Sequence, residues 1–289
     1  MSSRDRDTKS LQDKLKVFFK KGASAPLAAQ NELVVTADLR KELSPESPLS
    51  RRLRAVKELG DKVLHIRVQD IGPFLLEWLP QLQSTAHIID FVQLITNVVK
   101  FNAVYLDEEI VHGIVNNSCH LCVYSADSGV VLGCLSLLEA VVSYSLLPRT
   151  ALPTFVAALC RTVNVEHYCQ NSWKLMRNVM GADLGHAALQ ELVEMLRGEG
   201  GEGGGLLRGA VFYINMALWG PRRVHSLHVS PLAVLPAFLK ALGGRQAVVT
   251  YEVVVSLQSL VARAPLDLHE LCWDVLLDIV RAVLHHDSQ

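Results

Sequence analysis

Hydrophobic residues recur at helical spacing through most of this chain, from about residue 51 onward. Proline and glycine lie mainly between the periodic segments, which is typical of helix boundaries. The strongest segments are spaced about 40 residues apart and are predicted to begin near His87, Asp127, Glu166, Leu206 and Gln246. Between them, second helices are predicted to begin near Leu106, Leu152, His186, Leu232 and Leu268.

A period of about 40 residues with two antiparallel helices per unit is the signature of HEAT and armadillo repeats. One such pair cannot bury its apolar faces alone, so neighbouring pairs must stack. We therefore predict an all-α solenoid of antiparallel helix pairs over residues 51–289. A β-sheet is disfavoured because no segment alternates strictly between apolar and polar residues with hairpin turn signals on both sides.

Residues 1–50 differ from the rest because they lack sustained apolar periodicity and contain two Ser-Pro pairs, at residues 44–45 and 47–48. We predict an N-terminal arm here, partly disordered, with one short amphipathic helix at residues 11–20. A second irregular stretch is GEGGEGGG at residues 198–205. It is interpreted as a flexible connection between helices, because it lacks the Lys-Ser/Thr that completes a phosphate-binding loop.

Composition narrows the class of protein. Half of the 289 residues are hydrophobic, which is enough to build a large core. The 28 basic and 29 acidic side chains give a net charge of −1, which disfavours a nucleic acid or an anionic membrane as partner. No run reaches the ~18 apolar residues that a membrane span needs, and the charged N-terminus predicts no secretion signal. The six irregularly spaced cysteines favour reduced thiols in the cytoplasm.

Cysteine and histidine are concentrated in residues 160–186, where a metal site is conceivable. Cys169 and His167 are two residues apart on a predicted helix and therefore point in different directions. That helix is predicted to bury Val165, Cys169, Trp173, Met176 and Met180. The other cysteines (Cys119, Cys122, Cys134, Cys160 and Cys272) also fall on apolar stripes. We interpret all six as core-filling thiols and predict no metal site and no cofactor.

Catalytic motifs do not emerge from the sequence either. The patterns G-x-S-x-G, H-E-x-x-H and the Walker phosphate loop are missing from it. The acidic pair Glu108-Glu109 lies at a predicted helix start, where the helix dipole favours negative charge. We therefore predict no catalytic residue and no enzymatic activity.

Polar residues on the first helix of each pair remain as candidates for binding, since one helix layer of a solenoid forms a surface used for partners. The predicted partner-binding residues are Lys100, Lys174, Arg177 and Arg208. Two interpretations stay open: ordinary solvation or hydrogen bonding between repeats, and contact with an acidic helical partner. A further basic cluster, comprising Arg51, Arg52, Arg54 and Lys57, is more typical of a solvated helix face.

Several segments resemble the N-terminal region of the tuberin family, the GTPase-activating proteins of the tuberous sclerosis complex. They are LRKELS (39–44), LITNVVKFNAVYLDEEI (94–110), LCRTVNV (159–165), SWKLMRNVMGADLGHAA (172–188), LLRGAVFYINMALWG (206–220), VVTYEVVVSL (248–257) and CWDVLLDIV (272–280). The resemblance covers most of residues 31–280 in order. It departs from the family near residue 55, where members carry about two further helix pairs.

The resemblance implies a non-catalytic scaffold that binds the coiled coil of hamartin. In the family, the complex stimulates GTP hydrolysis by Rheb and restrains TOR signalling through a C-terminal domain that this sequence does not match. It also implies a cytoplasmic location, peripheral on endomembranes as part of the complex. A regulatory fragment acting directly on a small GTPase is the alternative, disfavoured because no residue set converges on a phosphate. A nucleic-acid-binding repeat is disfavoured by the charge balance.

Overall fold

The computed structural model describes residues 84–198 and 203–286, together with scattered positions between residues 38 and 82. Over those two stretches the chain forms ten α-helices and no strand. They are α1 (Thr85–Asn102), α2 (Glu108–Tyr124), α3 (Ser128–Tyr144), α4 (Leu152–Thr162), α5 (Glu166–Met180), α6 (Gly185–Arg197), α7 (Gly204–Leu218), α8 (Pro231–Leu242), α9 (Ala247–Arg263) and α10 (Glu270–His286).

Each of the ten helix starts predicted from His87 to Leu268 lies within two residues of an observed one, so the all-α fold is confirmed. The predicted N-terminal helix at residues 11–20 lies outside the described residues. So does most of the segment after residue 55 where the family resemblance departs, and most of the glycine-rich connection. That connection is shorter than predicted, because α7 already begins at Gly204.

Local chemistry explains several helix starts. The Asp127 carboxylate accepts a hydrogen bond of 3.0 Å from the Val130 amide and caps α3. Ser230 does the same for α8, and Pro231 at the first helical position needs no amide partner. Glu108 and Glu109 lie in the first turn of α2, as the helix dipole favours. Pro236 inside α8 is an exception to the rule that prolines mark the joints.

The chain divides into two compact units, Met1–Pro148 and Arg149–Gln289. In the first unit, α1 and α2 both pack on α3. The interface is mainly aliphatic, and its largest fully buried side chains are Phe91, Ile95, Ile114, Leu135, Leu137 and Leu138. Burial of this kind is the dominant favourable contribution to folding.

In the second unit, successive helices fall into two layers. One layer contains α5, α7 and α9, and the other contains α4, α6, α8 and α10, with each helix contacting the next member of its layer. Phe155, Tyr213 and Phe238 are fully buried between the layers. This is the stacked arrangement of a solenoid, in which a repeat contacts only its neighbours.

Helix α1 with its following turn, Thr85–Tyr105, is long and apolar enough by length and composition to cross a membrane. The segment is not an uninterrupted apolar run, because it contains the charged residues Asp90 and Lys100. Its apolar residues Phe91, Ile95 and Val98 are buried, and the helix packs on α3. Core packing therefore accounts for part of the hydrophobicity of this segment, of which 39% is buried.

Candidate protein-interaction surface

The four predicted partner-binding residues occupy three different helices. Lys100 lies in the last turn of α1 and is exposed, within the first unit. Lys174 and Arg177 are both exposed on α5 in the second unit. Arg208 lies on α7 and is half-buried. Of the four residues, Lys174 and Arg177 are therefore the two that lie on the same helix face, because side chains three residues apart are neighbours on a helix surface.

The orientation of α5 differs from the predicted one. Its buried residues are Ser172, Leu175, Met176, Val179 and Met180. Val165 is 45% exposed, and Cys169 and Trp173 are only half-buried. The predicted stripe of Val165, Cys169 and Trp173 is therefore wrong over its N-terminal half, where the polar Ser172 takes the inner position.

Hydrogen bonding explains why a serine can lie inside. The Ser172 and Thr162 hydroxyls are 2.8 Å apart, and the Thr162 hydroxyl also donates to the Ala158 carbonyl on α4. Burying a hydroxyl costs little free energy when it has hydrogen-bond partners. A prediction from apolar residues alone nevertheless assigns a serine to the outer face. This pair orients α5 so that Lys174 and Arg177 face outward.

Aromatic contacts hold the same helix against α7. The Trp173 ring stacks on Tyr213 with centroids 6.2 Å apart and meets Phe212 edge-on at the same separation. The Tyr213 hydroxyl donates to the Leu159 carbonyl at 3.1 Å, and burial raises the pKa of Tyr213. Trp173 therefore forms a contact between α5 and α7, on the helix that carries the exposed Lys174 and Arg177.

Arg208 forms hydrogen bonds with residues outside its own helix. Its Nε donates to Glu252 Oε2 on α9 at 2.9 Å, and its Nη1 donates to Asn164 Oδ1 at 3.0 Å. Its guanidinium also lies 5.7 Å from the centre of the Phe212 ring. Of the two interpretations left open by the sequence, hydrogen bonding between repeats describes this residue.

Asn164 completes the network at the end of α4. Its side-chain amide donates to the carbonyls of Cys160 and Gly205, each at 2.7 Å. One asparagine thereby links the end of α4 to the start of α7, and Arg208 extends the link to α9. Sequence reasoning missed both Asn164 and Glu252, because neither forms a local pattern with Arg208.

An open depression of about 530 Å³ lies beside the first turns of α5. Val165, Glu166, His167, Gln170 and Asn171 line it. Apolar, amide and ionic groups are mixed in this depression, which suits contact with protein side chains more than binding of one small molecule.

The cysteines lie mostly in the core. Five are buried and Cys169 is half-buried. A hydrogen bond with Cys134, together with burial, raises the pKa of Cys122, and burial raises that of Cys119. These thiols are therefore protonated and poor nucleophiles near neutral pH. No cluster of His, Cys, Asp or Glu among the described residues has the arrangement of a metal site.

A cavity of about 430 Å³ lies in the second unit, lined in part by the loop between α7 and α8. Three histidines that sequence reasoning passed over, His225, His228 and His269, contribute to its lining together with Arg223 and Asp267. Since these residues carry both signs of charge and the histidines are exposed, the cavity has no single charge preference.

Solved structures of other helical-repeat proteins are similar to this chain. The chain is similar to a solved structure of the TSC2 (tuberin) N-terminus, at 14% identity and a TM-score of 0.68, covering 90% of this chain and 82% of that one. Two designed armadillo repeat proteins are similar at 15% and 13% identity, with TM-scores of 0.39 and 0.40. They cover 77% and 85% of this chain and 98% and 97% of their own.

A family model matches residues 34–289 and is described as a domain of unknown function, DUF3384. Its extent agrees with the region of the sequence that resembles tuberin, and the structural similarity confirms that resemblance at the level of the fold. The chain therefore belongs to the DUF3384 family and has an α-solenoid fold like that of the tuberin N-terminal region.

Proposed function

We propose that the chain is a non-catalytic scaffold that binds the coiled coil of hamartin. In this proposal the complex promotes GTP hydrolysis by Rheb and restrains TOR signalling, with the GTPase-activating chemistry residing in a separate domain. The observation that carries the proposal is the similarity of fold to the TSC2 N-terminus across 90% of the chain. The chain acts in the cytoplasm, attached peripherally to endomembranes as part of the complex.

The geometry of α5 supports a helical, acidic partner. Lys174 and Arg177 are exposed on a helix whose inner face is fixed by Ser172 and Trp173. Coiled coils carry charged residues beside their apolar seam, and an acidic row there complements two cations one turn apart. Arg208 contributes indirectly, because it is bonded to Glu252 and Asn164. Lys100 is exposed on α1 and provides a separate basic position.

Calorimetric titration of the chain with the hamartin coiled coil tests the proposal. The double variant Lys174→Glu, Arg177→Glu should weaken binding by about tenfold or more, which corresponds to ~1.4 kcal/mol, and should reduce its salt dependence. The matched control is Arg222→Glu, Lys240→Glu, which makes the same change of charge at exposed positions on the loop before α8 and on α8 itself. The absence of binding by the unmodified chain would overturn the proposal, and equal weakening by both variants would remove α5 as the site.

A second measurement distinguishes the scaffold proposal from the alternative, in which the chain acts directly on a small GTPase. The rate of GTP hydrolysis by Rheb should be the same with and without this chain when no other protein is added. Acceleration by the chain alone would favour the regulatory-fragment hypothesis over the scaffold.

A further inference from the structure

The loop between α7 and α8 places a serine at the tip of a turn. Residues 219–230 form this loop. The Leu227 amide donates to the Val224 carbonyl at 3.1 Å, which closes a turn with His225 and Ser226 as its central residues. Val224 and Leu227 are buried, whereas His225 and Ser226 are exposed. The two apolar side chains therefore anchor the turn, and Ser226 lies at its surface.

A second turn, immediately before the first, carries two arginines. The Arg223 amide donates to the Gly220 carbonyl at 3.2 Å, which closes this turn. Arg222 and Arg223 are both exposed. The loop thus presents two cations on the surface, four and three residues before Ser226 in sequence.

The spacing of Arg223 and Ser226 is a pattern that protein kinases recognise. Basophilic serine/threonine kinases select an arginine three positions before the serine, because acidic side chains of the kinase pair with it. So short a motif recurs by chance, and its placement in the fold decides its meaning. In residues 84–286, Ser226 is the only serine or threonine with Arg or Lys three positions before it. This one motif falls on an exposed loop, where functional sites concentrate.

The charge around the loop also suits an acidic kinase surface. Residues 203–251 contain no aspartate or glutamate, so this stretch of the chain does not repel carboxylates. Asp267 is a carboxylate that the fold brings near the loop, since it lines the same cavity as Arg223. One carboxylate against the two arginines leaves the loop net cationic.

We propose that Ser226 is a phosphorylation site for a basophilic serine/threonine kinase, with Arg223 as the residue that the kinase recognises. The Ser226 hydroxyl oxygen forms a bond to the γ-phosphorus of ATP as the bond from that phosphorus to the β–γ bridging oxygen breaks. ADP leaves, and the hydroxyl proton passes to the catalytic aspartate of the kinase. The inference goes beyond the scaffold function and does not depend on it.

Phosphorylation would change the electrostatics of the loop. Arg222 and Arg223 give residues 219–230 a formal charge of +2. A phosphoserine adds a charge of about −2 at neutral pH, so the cationic loop becomes roughly neutral. The phosphate oxygens are also strong acceptors for a guanidinium. We therefore expect the modified Ser226 to pair with Arg223 and to hold the two turns together.

Incubation of the full, folded chain with MgATP and the catalytic domain of a calcium/calmodulin-dependent kinase, an enzyme of the basophilic class, tests the proposal. Mass spectrometry of the proteolytic peptides should find phosphate on Ser226, and Ser226→Ala should abolish it. Arg223→Ala should lower kcat/KM for this site at least tenfold, mainly through KM. The matched control is Lys240→Ala, which removes an exposed cation on α8 and should be modified like the unmodified chain.

Three outcomes would overturn the proposal or its recognition step. A folded chain that acquires no phosphate on Ser226 overturns it. So does a chain modified there only after unfolding in urea, because the folded loop then fails to present the serine. Equal kcat/KM for Arg223→Ala and Lys240→Ala removes Arg223 as the recognised residue. None of these measurements includes hamartin, so failure of the scaffold proposal would leave them unaffected.

Discussion

Arg208 and Glu252 form an ion pair that joins α7 to α9, with Nε and Oε2 separated by 2.9 Å. The glutamate side chain is 5% exposed and the arginine side chain 32% exposed. The pair is 44 residues apart in sequence and connects neighbouring helices of one layer. Arg208, which the sequence analysis predicted to bind a partner, is therefore part of the contact between repeats.

Removal of one member of this pair should destabilise the second unit. Arg208→Met leaves the Glu252 carboxylate buried without its counter-charge, and we expect a loss of about 3 kcal/mol in the free energy of unfolding. The double variant Arg208→Met, Glu252→Leu should recover a large part of that loss, since both charges are then gone. Urea unfolding of the unmodified chain, the single variant and the double variant measures these free energies. A single variant as stable as the unmodified chain would show that the pair contributes nothing.

Glu252 should also make stability depend on pH. Burial raises its pKa above the ordinary value of 4.5, and Arg208 opposes that shift. Because the folded state then holds the proton more tightly than the unfolded state, the contribution to stability is present below pH 4.5 and is lost as pH rises through the folded pKa. The free energy of unfolding should fall with rising pH in this window more steeply than in Glu252→Gln. Identical slopes would contradict the assignment.

Close packing between α4 and α7 should make Gly209 sensitive to substitution. A Cβ atom at Gly209 would collide with the Cys160 carbonyl and Cα of the facing helix. Gly209→Ala should therefore cost about 1–3 kcal/mol. Gly133→Ala on α3 is the control, since its Cβ would meet only Val92 at an ordinary 3.5 Å and should stabilise the helix by up to about 1 kcal/mol. Thermal melting that ranks the two variants in the opposite order would contradict this packing.

The thiols should differ in reactivity according to burial. Cys169 is the half-buried one, and the other five cysteines are buried. A thiol reagent should label Cys169 first in the folded protein and all six after unfolding. Cys169→Ser should abolish the early labelling, while Cys119→Ser should leave it unchanged. Early labelling of Cys119 or Cys122 would mean that the contact between α2 and α3 opens readily.

The positions of the helices could be predicted from the sequence alone. Helical spacing and caps such as Asp127 are properties of neighbouring residues, so they appear in the sequence without knowledge of the fold. The repeat period likewise predicted the solenoid, because each helix pair has to bury the same kind of face. Exposed basic positions such as Lys174 and Arg177 followed from the same pattern.

The tertiary structure alone decided the exact rotation of each helix and the pairing of distant polar groups. An apolar stripe defines a buried face only to within a residue or so, and Ser172 could take the inner position because Thr162 lies opposite it. Arg208 meets Glu252 because α7 and α9 stack side by side. Trp273, Leu277 and Val280 on α10 are partly exposed because α8 packs on a different face of that helix. In each case the partner is a residue far along the chain, and only the packing of whole helices brings it within hydrogen-bonding or van der Waals distance.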